Sequence, residues 1–348
     1  MQRKGPANLT LIAQELGLSV TTVSRALKDG PEVHPDTTAR VKEIAARLGY
    51  VPNLAGRALR TGRTHNLTAI LPLETRGSLS DLFKLPLIEG MTLAAQQQGY
   101  ALSITSTVHE EDPQSGLQRV LNAGGTDGVI ITRMLSNDPR PAFLNDRGFP
   151  FVAFGRSEVT GNHAYVDVEN EIIVEDATRR LVTAGCRRIA LQVLVPDDHV
   201  SSMRLMGHHR ALHAAGLEPD PLLLGHSDYT IATSEAWVSR LLDLPEPPDG
   251  LICANELGLF GALSALRARG LEAGRDLRIM VRDSTGLCLH ILSDIGVHYV
   301  NLTAVGETLV QALIARIEDP ASPLQRILVG AEFVPVRPPF ANPLAVES

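Results

Sequence analysis

Cysteine is scarce in this chain: 348 residues contain three, Cys186, Cys253 and Cys288. Far apart, odd in number and mostly flanked by aliphatic residues, they suit neither a disulfide framework nor a thiolate metal cluster, and read as small core residues. No run of about 18 uninterrupted apolar residues occurs, so no membrane span is expected. The N-terminus, MQRKGPANLT, is basic but lacks the apolar stretch of a secretory signal, which points to the cytoplasm. A Walker loop, a GxGxxG turn after a strand and a GxSxG elbow are all missing, and with them the familiar marks of nucleotide-using enzymes and serine hydrolases. GHHRALH offers His208, His209 and His213, and the 209/213 pair has i, i+4 spacing that could hold a metal, but no carboxylate in that run could act as general base. Solvated helix-face histidines are the plainer account. The chain is expected not to be an enzyme and to carry no cofactor or metal.

What is present is an uneven charge. The net charge is −7, yet the first 65 residues hold ten Lys/Arg against five Asp/Glu, and the remainder 22 against 34. A basic head on an acidic body implies a head that meets a polyanion and a body with another task. With 44% hydrophobic residues the chain can bury a sizeable core, and its length suggests two or three domains.

Three short helices are expected before residue 50. Asn8 can cap the first, whose apolar stripe is Leu9, Ile12, Ala13 and Leu16, and Gly17 stops it. Ser19 can cap the second, with Val23, Ala26 and Leu27 inward. The third, PDTTARVKEIAARLGY, carries Val41, Ile44, Ala45 and Leu48. A polar segment, LAGRALRTGRT, follows. From Leu67 onward apolar strand-like runs (LTAILPL, DGVIIT, FPFVAFG, RRIALQVLV, DGLICAN, LRIMVRD) alternate with helical patterns, the order of parallel sheets covered on both faces. About 280 residues exceed one comfortable sheet, so two α/β subdomains with a cleft between them are expected. Ligands of such sheets sit at the carboxyl ends of the strands.

The turn LGLS between two short helices is the helix-turn-helix arrangement, whose second helix enters the major groove. This puts Val20 and Thr21 at the reading tip, Ser19, Thr22 and Ser24 within reach of phosphates, and Arg25 one turn on. Arginine can bridge guanine O6 and N7, and the methyls of Val and Thr can meet a thymine methyl. Taken alone, the stretch suits a generic amphipathic helix with solvated hydroxyls about equally well.

The stretch LIAQELGLSVTTVSRALKDGPEVHPDTTARVKEIAARLGYVPNLAGRALRTGRT resembles the headpiece and hinge of the lactose-repressor (LacI/GalR) family of bacterial transcription regulators, with VTTVSRAL, LGYVPN and RALRTGRT at the family's mutual spacing. IEGMTLAAQQQGY, DGVII, AGCRRIAL and ANELGLFGAL continue the likeness more loosely through the body. The resemblance implies an α/β fold: a three-helix headpiece (1–50), a hinge (51–64) and a periplasmic-binding-protein-like effector domain (65–348). Within the last, subdomain one is set at about 65–165 plus 296–322, and subdomain two at about 166–295 plus 323–348. It implies a cytoplasmic, nucleoid-associated homodimer, or a pair of dimers, on near-palindromic double-stranded operator DNA. No leucine heptads follow the last strand, which argues against a tail-bundled tetramer. Residues 52–60 would form a hinge helix in the minor groove, with Leu59 as wedge and Asn53, Arg57 and Arg60 near the DNA. Two positions depart from the pattern. Gly56 replaces the usual Ala and weakens an isolated hinge helix. His34 replaces a capping Ser, although Pro35 suits a helix start.

The resemblance further implies a sugar effector, and a sugar-controlled repressor of carbohydrate-utilisation genes. The alternative is a sugar-binding module without specific DNA activity. By motif, Asn255 of CANELG and Asp283 of MVRDST fall at ligand-contacting positions, with Asn170, Tyr229 and Phe83 as further cleft candidates. Amides, a carboxylate and aromatic rings suit sugar hydroxyls and a pyranose face. Ser202 stands where an arginine is expected, Arg204 is placed outside the pocket, and Ser284 replaces a second acid. FGRSEVTGNHAYVDVENE resembles a branch associated with α-glucosides and other oligosaccharides, which adds Arg156, Tyr165 and Asp167.

Overall fold

The computed structural model describes residues 8–27, 30–50, 62–73, 84–108, 112–157, 163–193, 199–226, 230–291 and 294–335. The chain divides into two compact units at Thr64/His65.

Among its described residues the first unit holds three helices: α1 (Leu9–Leu16), α2 (Val20–Ala26) and α3 (Pro35–Arg47). Local chemistry sets their ends. The Asn8 side chain accepts from the Leu11 amide at 2.9 Å, and Gly17 closes α1 with a left-handed φ of 65° that a Cβ would disfavour. His34 does cap α3: its Nδ1 accepts from the Asp36 amide at 3.3 Å. Ile12, Ala13, Val23, Ala26, Val41 and Ala45 form the buried core. Arg47 on α3 pairs with Glu15 on α1.

The second unit contains two six-stranded sheets. The first has the order β11-β5-β4-β3-β1-β2, from β1 (Asn66–Leu73), β2 (Ala101–Val108), β3 (Gly128–Ile131), β4 (Phe151–Phe154), β5 (Ala164–Val168) and β11 (Arg326–Val329), all parallel. The second has the order β12-β10-β9-β8-β6-β7, from β6 (Ile189–Val193), β7 (Leu224–His226), β8 (Gly250–Cys253), β9 (Arg278–Asp283), β10 (Ile295–Tyr299) and β12 (Glu332–Val334); only β12 runs antiparallel. Strands β3, β6 and β8 are buried along their whole length, because helices cover both faces.

The subdomain boundaries read from the sequence need correction: residues 166–168 complete β5 of the first sheet. Residues 296–299 belong to the second sheet, where β10 pairs with β9, and residues 326–329 to the first, where β11 pairs with β5. The chain therefore crosses between subdomains after Val168, between Tyr299 and Leu302, and between Val329 and Glu332.

On the first sheet, α4 (Lys84–Gln97) and α12 (Leu302–Glu318) pack on one face, and α5 (Pro113–Ala123) and α6 (Arg140–Asn145) border the core of the other. On the second, α7 (Asn170–Thr183) and α8 (His199–Ala214) cover one face and α9 (Ile231–Leu242) and α10 (Glu256–Arg267) the other. A short helix, α11 (Cys288–Ile291), follows β9. Among the described residues no helix is long and apolar enough to cross a membrane.

His208 is buried, not solvated as the sequence suggests, and links α8 to α7, its Nδ1 lying 2.9 Å from the Thr178 hydroxyl. Burial, then the neighbouring His209, push its pKa down from 6.5 to about 4. Above pH 6.5 both folded and unfolded chains hold it neutral. As pH falls toward 4, the unfolded chain takes up a proton that the folded one refuses, so stability drops. The shift corresponds to a loss of about 3 kcal/mol at full effect. Denaturant midpoints measured from pH 7 to pH 4 should fall less steeply for His208→Leu than for the native chain; equal slopes would exclude His208 as the source.

Candidate functional site

In the headpiece, Ser19 Oγ accepts from the Thr22 amide at 3.0 Å, and the two hydroxyls lie 2.8 Å apart. Both are thus engaged in starting α2. Val23 and Ala26 are buried, while Thr22 and Ser24 are half-buried. The opposite edge presents Val20, 43% exposed although apolar, with Thr21 and Arg25 beside it on the surface. An exposed valine next to a threonine and an arginine, on a helix held rigid from behind, is a surface that can enter a groove. Asn53, Arg57, Leu59 and Arg60 lie outside the described residues.

The second unit opens a cleft at the carboxyl ends of both parallel sheets, enclosing about 1050 Å³ with its solvent mouth included. Each sheet reverses its strand order beside its first strand, at β1/β3 and β6/β8, and such reversals leave a crevice where neighbouring crossovers part to opposite faces. Leu71 and Pro72 of β1, Thr132 and Arg133 after β3, and Phe154, Gly155 and Arg156 at the end of β4 line one wall with Asp167 of β5. Val200 and Arg204 of α8, Ala254 and Asn255 after β8, and Arg282 of β9 line the other.

Asp167 is nearly buried and fully engaged: Oδ1 accepts from the Val168 amide at 2.8 Å and Oδ2 from Arg156 Nε at 2.6 Å. Burial raises its pKa above the ordinary carboxylate value, and Arg156 beside it pulls the other way. Arg156 also donates to both carboxylate oxygens of Glu171 at 2.9 Å. Asn170, at the start of α7, donates from Nδ2 to the Val168 carbonyl at 3.0 Å. Asn255 caps α10, Oδ1 accepting from the Gly258 amide at 2.8 Å, so its position is fixed by the helix it starts. Arg204 donates to the Ala254 carbonyl at 3.3 Å.

The structure thus brings Arg156, Asp167, Asn170 and Asn255 together around one space, and places two other candidates elsewhere. Asp283 does not line the cleft. It is fully buried, its Oδ1 accepting from the Thr285 amide and hydroxyl and the Gly286 amide at 3.0, 3.1 and 3.0 Å, and its Oδ2 from the Cys288 amide at 3.0 Å. This carboxylate staples its own loop, and its neighbour Arg282 lines the cleft instead. Tyr165 sits two residues upstream of Asp167, packed beside the core of the first sheet with its ring 6.2 Å from that of His163, and is not a lining residue. Phe83 and Tyr229 lie outside the described residues.

Arg204 corrects the sequence reading in the other direction: it lines the cleft, whereas Ser202 does not. Arg133, Arg282 and Lys84 are lining residues that the sequence reading missed; their signal was position, since the first two stand at strand ends and the third opens α4. Glu256, also missed, lies fully buried behind Asn255 and accepts from the Ser284 and Thr285 amides at 2.6 and 3.0 Å. Burial, then Asp283, push its carboxyl above the ordinary range. Among the described residues no group of three His, Cys, Asp or Glu could hold a metal ion.

The profile of bacterial regulatory proteins of the lacI family matches residues 8–53, and that of the periplasmic binding protein-like domain residues 178–336. The HTH-type transcriptional regulator AglR of Rhizobium meliloti is 35% identical over 80% of this chain and 78% of its own length. CelR of Thermobifida fusca is 31% identical over 83% of this chain and 86% of its own length. Among solved structures, a transcriptional regulator CelR–cellobiose complex aligns with a TM-score of 0.70 at 26% identity, covering 94% of this chain and 98% of that one. The lac repressor dimer bound to operator and the anti-inducer ONPF shares the fold, with a TM-score of 0.82 at 20% identity over 95% of this chain and 98% of that one.

Proposed function

The chain belongs to the lacI family of bacterial regulatory proteins and is a DNA-binding transcriptional regulator, and from that premise we propose that a saccharide in the cleft controls its affinity for operator DNA. One observation carries this reading: two amides, a carboxylate and arginines converge from both sheets on one space at the strand ends. Hydroxyl-rich ligands need donors and acceptors together, and this wall offers both. A disaccharide in the cleft would be in keeping with the cellobiose complex of a relative. Asn170, Asn255 and Arg204 are assigned to ligand hydroxyls, and Arg156 with Asp167 to the same ligand from the first subdomain. Asp283 supports Asn255 from behind, through the loop next to Glu256.

The protein acts as a homodimer in this reading, each headpiece taking half of a near-palindromic site. The saccharide binds two cleft arrangements unequally, and only one of them favours operator binding. Linkage then requires operator DNA to change saccharide affinity by the same factor, typically about 5- to 150-fold. A DNA titration at fixed salt, on near-palindromic sites from the gene's own neighbourhood and with a panel of mono- and disaccharides, tests this. One saccharide should shift the specific complex; indifference to all of them would overturn the cleft assignment.

Val20, Thr21 and Arg25 are assigned to base edges, with Ser24 and the capping hydroxyls Ser19 and Thr22 near the backbone. Arg25→Ala is expected to cost about 1–3 kcal/mol on the specific site and to relax preference at one base pair. Competition among single-base operator variants checks it, and unchanged discrimination would remove Arg25 from the readout.

A further inference from the structure

The loop between β3 and α6 supplies three lining residues, Thr132, Arg133 and Met134. Arg133 has φ of 53°, in the left-handed region that residues with a Cβ seldom occupy, so its surroundings must hold it there. Arg140, the first residue of α6, is only 2% exposed and lies against this loop. Its Nη2 donates to the carbonyls of Thr132 at 3.1 Å and Arg133 at 2.8 Å, on both sides of the left-handed residue. The same guanidinium binds the Asp138 carboxylate at 2.9 Å through Nε and 2.6 Å through Nη2. That carboxylate also accepts from the amides of Leu135 at 3.1 Å and Arg140 at 3.0 Å, so one buried ion pair ties both ends of the loop. The Asp138 amide reaches Ser157 Oγ at 3.4 Å, and Ser157 donates to the Ser136 carbonyl at 2.7 Å. Ser157 directly follows Gly155 and Arg156, which line the same wall.

Packing alone does not call for a charged pair here, since well-fitted apolar side chains commonly serve a buried position as well or better. Only a guanidinium offers a rigid fork of donors that can hold two carbonyls and a carboxylate at once. The pair therefore fixes shape. We propose that Arg140, locked by Asp138, is a positioning residue for the effector: it sets Arg133 and the Thr132–Met134 wall in ligand-competent geometry before the ligand arrives. This rests on reading the cleft as the effector site.

The test uses full-length Arg140→Met, Arg140→Lys and Asp138→Asn, with two readouts. Deuterium uptake of the 132–140 segment without ligand should speed up at least tenfold in Arg140→Met while the second sheet exchanges as before. The saccharide concentration that half-shifts the operator complex should rise at least tenfold, with operator affinity in its absence unchanged. A purely structural role would instead weaken both together. Arg140→Lys should behave like Arg140→Met, because an ammonium is a single donor atom and cannot keep the two-nitrogen grip on Asp138 that aims Nη2 at the carbonyls. A loop as protected as in the native chain, or a loosened loop with an unchanged saccharide midpoint, overturns the proposal. If Arg140→Met fails to fold, Asp138→Asn, which keeps the volume, gives the same two readings. If the native protein responds to no saccharide, the cleft assignment fails by itself, and uptake alone still decides whether Arg140 sets the loop.

Discussion

Arg204→Met is expected to make operator binding indifferent to the effector at concentrations that shift the native protein. Arg204 projects from α8 into the cleft, is 3% exposed and donates to the Ala254 carbonyl at 3.3 Å. It therefore has two tasks on the second subdomain's wall: to offer charged donors to a ligand, and to hold the backbone just before Asn255. Hydrogen bonds to a charged group are worth about 1.5–3 kcal/mol each when buried, so losing one of them weakens effector affinity about 10- to 100-fold. Methionine keeps the length of the aliphatic stem and leaves no large cavity, which separates loss of contact from loss of fold. The headpiece does not include this residue, so operator affinity without effector should stay within about threefold of native. Saccharide titrations of a preformed operator complex, at one salt concentration, read both quantities. A variant that releases or tightens on DNA at the native saccharide concentration would remove Arg204 from the site.

How far the sequence foretold this site depends on which physical level fixed each residue. The headpiece was legible almost entirely, because its determinants are local: Asn8, Gly17 and Ser19 mark helix ends through bonds three or four residues away. Asn255 was placed by likeness of motif, and the structure seats it at the cleft as the cap of α10. Arg204 was misplaced because Ser202 and Arg204 differ by two residues, about 200° around a helix, and face nearly opposite ways. Which one meets the cleft depends on how α8 is rotated, and that is set at a distance, where Gly207 lies against the Glu171 carbonyl of α7. Asp283 and Arg282 show the same difficulty in a strand, where neighbours point to opposite faces. Tyr165 was assigned by likeness of motif, but it sits near the amino end of β5, and the cleft lies at the carboxyl ends of the strands. The exchange at β11 was hidden because its partner, β5, is remote in sequence, whereas β10 pairs with β9, the strand just before it, and was assigned to the wrong subdomain although its partner lay close by.

Gly90→Ala is expected to destabilise the second unit, although alanine is the better helix former. A Cβ on Gly90 of α4 would overlap the Thr303 carbonyl of α12, and one on Gly306 of α12 would overlap the Leu87 carbonyl and crowd the Met91 amide of α4. The two helices thus cross backbone to backbone through a pair of glycines. Replacing an interior glycine gains about 1 kcal/mol of helix propensity. Against that gain stands a clash with main chain, which cannot rotate away; overpacking in a close-fitted core costs typically 1–3 kcal/mol and occasionally more, and moving a whole helix belongs at the upper end. The clash wins, with a net loss of about 2 kcal/mol for Ala and more for Val. Gly116 on α5 supplies the control: a Cβ there would overlap only the Thr107 methyl, a side-chain atom that can turn aside. Thermal unfolding should place Gly90→Ala roughly 4–8 °C below the native chain, with Gly116→Ala much closer to it. The consequence extends to control of DNA binding, because α12 follows one crossover between subdomains and precedes the other pair of strands that cross. A looser seat for α12 should therefore blunt the saccharide response before the unit melts. If Gly90→Ala melts no lower than Gly116→Ala, the close helix crossing does not carry the stability assigned to it.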